Sequence, residues 1–162
     1  MGLSERLLIS HHQNNYGGAV KRLNAIRAQL AALPVSTAPG FNSTTASKRE
    51  ELIATNSMLL HELYFDCLGG DGKTMQPAMT LALTANFGSL ERWREEFVAM
   101  GKALGGGSGW VLLTFQPREG TLVNQWAAGP YTCGSWRRAG SWHSTCTNIH
   151  ITWTSVLRQA PM

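Results

Sequence analysis

The first part of the chain has the hydrophobic spacing of an amphipathic helix. Apolar residues recur every three or four positions up to Pro34: Val20, Leu23, Ile26, Leu30 and Leu33. This spacing is that of one helix face, and a proline disfavours helical backbone in the residue before it. We predict one long helix, or a helix pair, bent at Tyr16-Gly17-Gly18, because each glycine costs about 1 kcal/mol relative to alanine within a helix.

A second apolar series predicts a helix from about Lys48 to Leu68. Its members are expected on or near one face: Leu52, Leu59, Leu60, Leu63 and Cys67. The Ser/Thr-rich residues 35–47 connect it to the first helix, and the glycine-rich residues 69–72 end it. The N-terminal part, residues 1–70, is therefore predicted to form a helical-hairpin domain.

Two shorter helices are predicted next. Pro77 is a favourable first residue for a helix that ends near Phe87, and Ser89 can cap the helix after it. The buried stripe of that following helix is assigned to Trp93, Phe97 and Leu104.

The hydrophobic period then changes from helical to extended. Residues 110–116 and 121–126 are rich in strand-forming side chains and flank Pro117-Arg118-Glu119-Gly120, which predicts a β-hairpin. The predicted fold class is α+β. An N-terminal helical hairpin precedes a partial α+β domain, residues 74–128, with a small antiparallel sheet.

Composition places the chain among compact globular proteins. It has 162 residues, of which 43% are hydrophobic and only 15% charged. No stretch approaches the roughly 20 apolar residues that span a bilayer, and the N-terminus lacks a basic region followed by an apolar run. We expect a cytoplasmic protein with no membrane partner. Three cysteines without CxxC spacing indicate neither a zinc ribbon nor a disulfide framework.

The positive charge is a property of the C-terminal end. All ten acidic residues lie at or before Glu119, and the later part of the chain adds only Arg137, Arg138 and Arg158. Three arginines are too sparse for a stripe that follows phosphates, so no nucleic-acid partner is expected.

Histidines on the predicted helices are the first candidates for chemistry. His61 lies between Leu60 and Leu63 on a strongly apolar helix, where an imidazole without a partner costs about 1 to 3 kcal/mol. His11 and His12 lie on the first helix. A single helical histidine is usually structural, but histidine is also a common metal ligand, so both roles remain open.

Several short motifs, in their order and spacing, carry a family resemblance. They are the Leu23-Asn24 pair after the helical histidines, HELYFDCL around His61, FGSLERWREEF at 87–97, GSGWVLL at 107–113 and Asn124-Gln125. Together they resemble the iron/manganese superoxide dismutase family over residues 3 to about 128. The family's fold is a helical hairpin joined to an α+β domain.

The resemblance implies an activity and a metal. It implies disproportionation of superoxide to oxygen and hydrogen peroxide in a homodimer, with one Mn or Fe per subunit bound by three His, one Asp and a solvent molecule. His11 matches the first ligand and leaves His12 as its neighbour, while His61 matches the second.

The resemblance also implies residues around the metal. Gln125 matches an outer-sphere residue that contacts the bound solvent, and small Ser57 leaves room for it, which favours manganese or the use of both metals. The chain departs from the family at Asn15 and Ala19, where a His and a Tyr are frequent.

The other two ligands of the family come from an Asp-x-x-x-His motif after the hairpin, and this chain has no acidic residue there. Codons for residues 141–156, read from the third base of each codon, permit the peptide LALDMYEHTYHMDFG, which contains that motif. The lost Asp would span the codons of Ser144 and Thr145, and the lost His those of Asn148 and Ile149.

Residues 129–162 are therefore predicted to be an out-of-frame tail of a superoxide dismutase gene, with a frameshift that starts near Ala128 and involves one or more insertions or deletions. Because the tail has neither a 2- nor a 3.6-residue period, we expect it to pack loosely. One alternative is a real, divergent basic extension. At the level of function, the alternative is an inactive, non-enzymatic, dimer-forming remnant that lacks the Asp and His ligands.

Overall fold

The computed structural model describes residues 3–33, 43–69, 74–104, 109–127 and 151–152. The chain divides into two compact units, Met1–Glu62 and Leu63–Met162, and each is described by itself. Helices make up the described part of the first unit, and helices with a small antiparallel sheet make up that of the second. The predicted α+β class is confirmed.

The first helical stretch of the chain contains three consecutive segments. They are α1 (Glu5–Ser10), a π-helical segment (His11–Tyr16) and α2 (Gly17–Ala32). Ser4 caps α1 by accepting a hydrogen bond from the Leu7 amide at 3.3 Å. The helix ends one residue before Leu33, close to the predicted boundary.

The first helical stretch is irregular just before the glycine pair, where a bend was predicted. Gly17 and Gly18 are both helical, so the helix continues through the glycine pair, and the bend predicted there stays a prediction. The six preceding residues form the π-helical segment, in which the Gly17 amide donates to the carbonyl of His12, five residues earlier. The helix therefore accommodates an extra residue in this segment, which precedes the glycine pair.

The second helix, α3 (Ser43–Asp66), begins earlier than predicted and ends before Cys67, which is exposed. Its buried residues follow one face: Ile53, Ala54, Asn56, Leu60, His61 and Tyr64. Of the residues predicted on or near one face, Leu60 is buried, whereas Leu52, Leu59 and Leu63 are half-buried. The apolar side chains of α3 occupy much of its circumference, so hydrophobicity alone did not identify the packed face.

The first unit is a helical hairpin held by a small apolar contact. Leu23 and Ile26 of α2 pack with Ala54 of α3. Ion pairs between Arg22 and Glu50 and between Arg27 and Glu51 join the two helices at the surface. Exposed pairs of this kind contribute little, about 0 to 1 kcal/mol each, so the apolar contact is the larger stabilising term.

The second unit contains two helices and a sheet. The helices are α4 (Pro77–Phe87) and α5 (Leu90–Ala103), and the strands are β1 (Trp110–Gln116), β2 (Thr121–Ala127) and β3 (Ile151–Thr152). The sheet is antiparallel with the order β2-β1-β3. Gly120 closes the hairpin with φ +67°, a value that favours glycine. The predicted helix starts and the hairpin are confirmed.

One face of the hairpin packs on the two helices. Leu83 of α4, Phe97 of α5 and both Val111 and Leu113 of β1 form a buried cluster. The predicted stripe of α5 is confirmed at Phe97, whereas Trp93 and Leu104 are only partly buried and lie at the margin of this cluster. The core of this unit therefore lies between one sheet face and the α4–α5 pair.

Replacing the cap of α5 should lower the stability of the chain. The Ser89 hydroxyl accepts a hydrogen bond from the Arg92 amide at 3.1 Å. We expect Ser89→Ala to lower the free energy of unfolding by about 1 kcal/mol, measured by urea denaturation. Ser89→Asp, which keeps a side-chain acceptor, should retain most of it. Equal losses in both variants would contradict the capping role.

Most of the tail lies outside the described residues, and so does the prediction that it packs loosely. Ile151 and Thr152 are described, and they pair with Leu112 and Val111 of β1. Among the helices that the structure describes, none is long and apolar enough to cross a membrane.

Candidate metal centre

His11 and His61 lie side by side in the first unit. His11 opens the π-helical segment and His61 belongs to α3, and their side chains are buried, with 4% and 6% of their surface exposed. Their ring centroids are 4.9 Å apart, with the planes inclined by 41°. Two imidazoles that share one ion approach to within roughly 5 Å, because each metal–nitrogen bond is about 2 Å long. The spacing therefore fits two ligands of one metal ion.

The orientation of the His61 ring is set by its own helix. Its Nδ1 lies 2.6 Å from the carbonyl oxygen of Ser57, one turn earlier. Because a carbonyl can only accept, Nδ1 carries the proton in this contact and Nε2 carries the lone pair. Histidine ligands commonly donate their second ring nitrogen to a carbonyl in this way, which fixes the tautomer and the ring orientation.

Burial keeps both rings neutral. Desolvation, with a smaller contribution from nearby His61, lowers the pKa of His11 to about 4. Desolvation also lowers the pKa of His61, while the hydrogen bond to Ser57 opposes this shift. Neutral imidazole is the form that binds metals, so both side chains are in the ligand form at pH 7.

His12 is placed differently from His11. It is exposed, and its ring lies 5.2 Å from that of Tyr16. Of the two adjacent histidines, only His11 has its ring against that of His61 in the described part of the chain. This supports His11 rather than His12 as the candidate ligand.

Tyr16 makes a polar contact with Glu62 that the sequence did not predict. Its hydroxyl donates to Glu62 Oε1 at 3.1 Å, and this hydrogen bond raises the pKa of Tyr16. From the sequence, Tyr16 was expected only to take part in a bend with Gly17 and Gly18. Tyr16 lies five positions after His11, a spacing that indicates a shared face only if the backbone between them is known to be π-helical.

Gln125 lies in the second unit, whereas the candidate ligands His11 and His61 lie in the first. It is half-buried on β2, opposite Leu112 of β1. Its neighbour Asn124 accepts from Trp93 Nε1 at 3.1 Å and donates to Glu96 Oε1 at 2.9 Å. The outer-sphere role of Gln125 therefore stays a prediction.

The donor set for Fe or Mn is incomplete among the described residues. Two buried, neutral imidazoles fit these metals in donor type and spacing. No group of three or more His, Cys, Asp or Glu side chains suited to a metal occurs in the part of the chain that the structure describes. The described residues thus supply two candidate ligands, whereas the family resemblance implies four protein ligands.

Comparison with known proteins gives consistent matches. A family model described as iron/manganese superoxide dismutases, C-terminal domain, matches residues 75–134. The protein "Superoxide dismutase [Fe]" of Cupriavidus metallidurans is 66% identical over 127 residues, which cover 78% of this chain and 64% of the relative. "Superoxide dismutase [Mn] 1" of Halobacterium salinarum is 33% identical over 128 residues, covering 75% of this chain and 59% of the relative.

A more distant relative also carries iron in its name. "Superoxide dismutase [Fe]" of Pyrobaculum aerophilum is 28% identical over 124 residues, covering 75% of this chain and 57% of that protein. In each case the chain spans less than two thirds of the relative's length.

Proposed function

We propose that this chain, which belongs to the iron/manganese superoxide dismutase family, derives from an enzyme that disproportionates superoxide to oxygen and hydrogen peroxide. His11 and His61 are two of its metal ligands, and Gln125 is an outer-sphere residue. The observation that carries the proposal is the buried pair of neutral imidazoles with centroids 4.9 Å apart.

The metal of the proposed centre is Fe or Mn. Gln125 and the small Ser57 favour manganese or the use of both metals, whereas the relative with 66% identity carries iron in its name. Either metal would supply the redox step by alternately accepting and giving one electron. The residues of this chain supply two nitrogen ligands and a buried environment that keeps them unprotonated.

The proposal includes a frameshift near Ala128. The match to the Cupriavidus metallidurans protein covers 127 residues, about the number in the part of the chain, residues 3 to about 128, that resembles the family. The family-model match ends at residue 134, slightly later than the predicted frameshift. The absence of any acidic residue after Glu119 removes the Asp ligand from the sequence as written.

The alternative function is a non-enzymatic, dimer-forming remnant that kept the hairpin and lost the site. The nucleotide sequence across codons 126–145 separates the two: an extra or missing base there supports a damaged enzyme gene. An uninterrupted frame confirmed in independent DNA would support a divergent tail instead. Homodimer formation and a cytoplasmic location stay predictions.

The chain as written should bind metal weakly and dismute superoxide poorly. It lacks the Asp and the third His of the family's centre, and even the loss of an outer-shell partner commonly lowers affinity or activity by about 10 to 100-fold. We expect less than about one hundredth of the activity of the Cupriavidus metallidurans protein, assayed in parallel with metal analysis. Full metal occupancy with comparable activity would refute the proposed frameshift loss.

A further inference from the structure

The π-helical segment changes which residues share a face with His11. In an α-helix each residue turns by about 100°, so residues five apart point roughly 140° away from each other. Hydrogen bonds between residues five apart bring such residues close to alignment, and the Gly17 amide bonds to the His12 carbonyl in this way. His11 and Tyr16, the first and last residues of this segment, therefore face the same neighbour.

That neighbour is a single turn of α3. The His11 ring lies against the ring of His61, and the Tyr16 hydroxyl donates to the carboxylate of Glu62. His61 and Glu62 are consecutive residues. The π-helical segment is thus attached to α3 at two points, one through the candidate ligands and one through a hydrogen bond beside them.

We infer that Tyr16 is a positioning residue of the His11–His61 pair. Its hydrogen bond to Glu62 holds the π-helical segment in the rotation that keeps the two imidazoles adjacent. The effect of Tyr16 on metal binding rests on the proposed function. Its effect on the distance between the two rings does not.

Within the described part of the chain, two neighbouring positions offer no contact comparable to that of Tyr16. Asn15 is exposed, and Ala19, although buried, ends in a methyl group. These are the two positions at which the chain departs from the polar residues frequent in the family. Tyr16 therefore bonds from a different position to Glu62, the residue that follows His61, and the π-helical segment makes that contact possible.

The test uses the full 162-residue chain and the variants Tyr16→Phe, Glu62→Gln and Glu62→Ala. Without metal, the nuclear Overhauser effect between the ring protons of His11 and His61 reports their proximity. With Mn²⁺ alone as the probe, paramagnetic broadening of the same resonances reports binding. Ser10→Ala is the matched control, because it removes an exposed hydrogen bond to Asn14 in the same region.

Tyr16→Phe and Glu62→Ala should weaken the ring-to-ring effect and lower the apparent Mn²⁺ affinity by about tenfold. Glu62→Gln keeps a carbonyl acceptor for the tyrosine hydroxyl and should restore most of both signals. Ser10→Ala should change neither.

An unchanged ring-to-ring effect in both Tyr16→Phe and Glu62→Ala would overturn the inference, whatever their stability. A further variant, His11→Ala, tests the proposed function separately, since Mn²⁺ broadening of His61 should be lost in it. Because the chain as written is expected to bind metal weakly, Mn²⁺ is titrated to high concentration, and a complete absence of broadening there would contradict the metal proposal. The ring-to-ring effect still decides the role of Tyr16.

Discussion

If the proposed frameshift near Ala128 is reversed in the gene, we expect the resulting chain to gain metal binding and superoxide dismutase activity, and His11→Ala or His61→Ala to abolish both. The restored chain regains an Asp and a His that the sequence as written lacks. Removing either buried imidazole deletes a direct ligand, so we expect at least the 10 to 100-fold loss seen on removing mere outer-shell partners. The measurement is the rate of superoxide removal per bound metal ion in each purified protein.

His12→Ala provides the matched control for this experiment. His12 is adjacent to His11 but is exposed, so its loss should leave activity within about twofold, as is usual for surface substitutions. Activity that survives both His11→Ala and His61→Ala would show that the ligand assignment is wrong. Activity lost in His12→Ala but kept in His11→Ala would assign the ligand to His12.

The metal-free chain should lose stability as the pH falls from about 6.5 to about 4. The folded pKa of His11 is about 4, below its ordinary 6.5, so the unfolded chain binds more protons in this interval. The stabilising effect of the neutral ring is therefore complete above pH 6.5 and is lost as the pH falls through this range. A pKa shift of this size lowers the free energy of unfolding by about 3 kcal/mol at most over this pH range.

Urea denaturation at several pH values, with chelator present, measures this effect. The lowered pKa of His61 acts in the same direction. His11→Gln removes one titrating ring and should flatten the dependence on pH, whereas His12→Ala should not. Identical pH slopes for the unmodified chain and His11→Gln would contradict the assignment of the effect to His11.

Much of the site was accessible from the sequence. His11 and His61 were predicted as ligands from their match to the family, and the structure brings their rings together. The role of Tyr16 could not be predicted, because only the π-helical backbone brings residues five apart onto one face. The place of Gln125 relative to these rings involves both compact units and stays a prediction.

The sequence by itself determined the helical hairpin, the starts of α4 and α5, and the β-hairpin. These depend on local signals: a hydrophobic period, Pro77 at a helix start, the Ser89 cap and Gly120 in a turn. Only the tertiary structure decided which face of α3 is buried, because that helix carries apolar residues beyond its packed face. It also decided that His11 rather than His12 adjoins His61, since burial depends on the neighbouring helix and not on residue type.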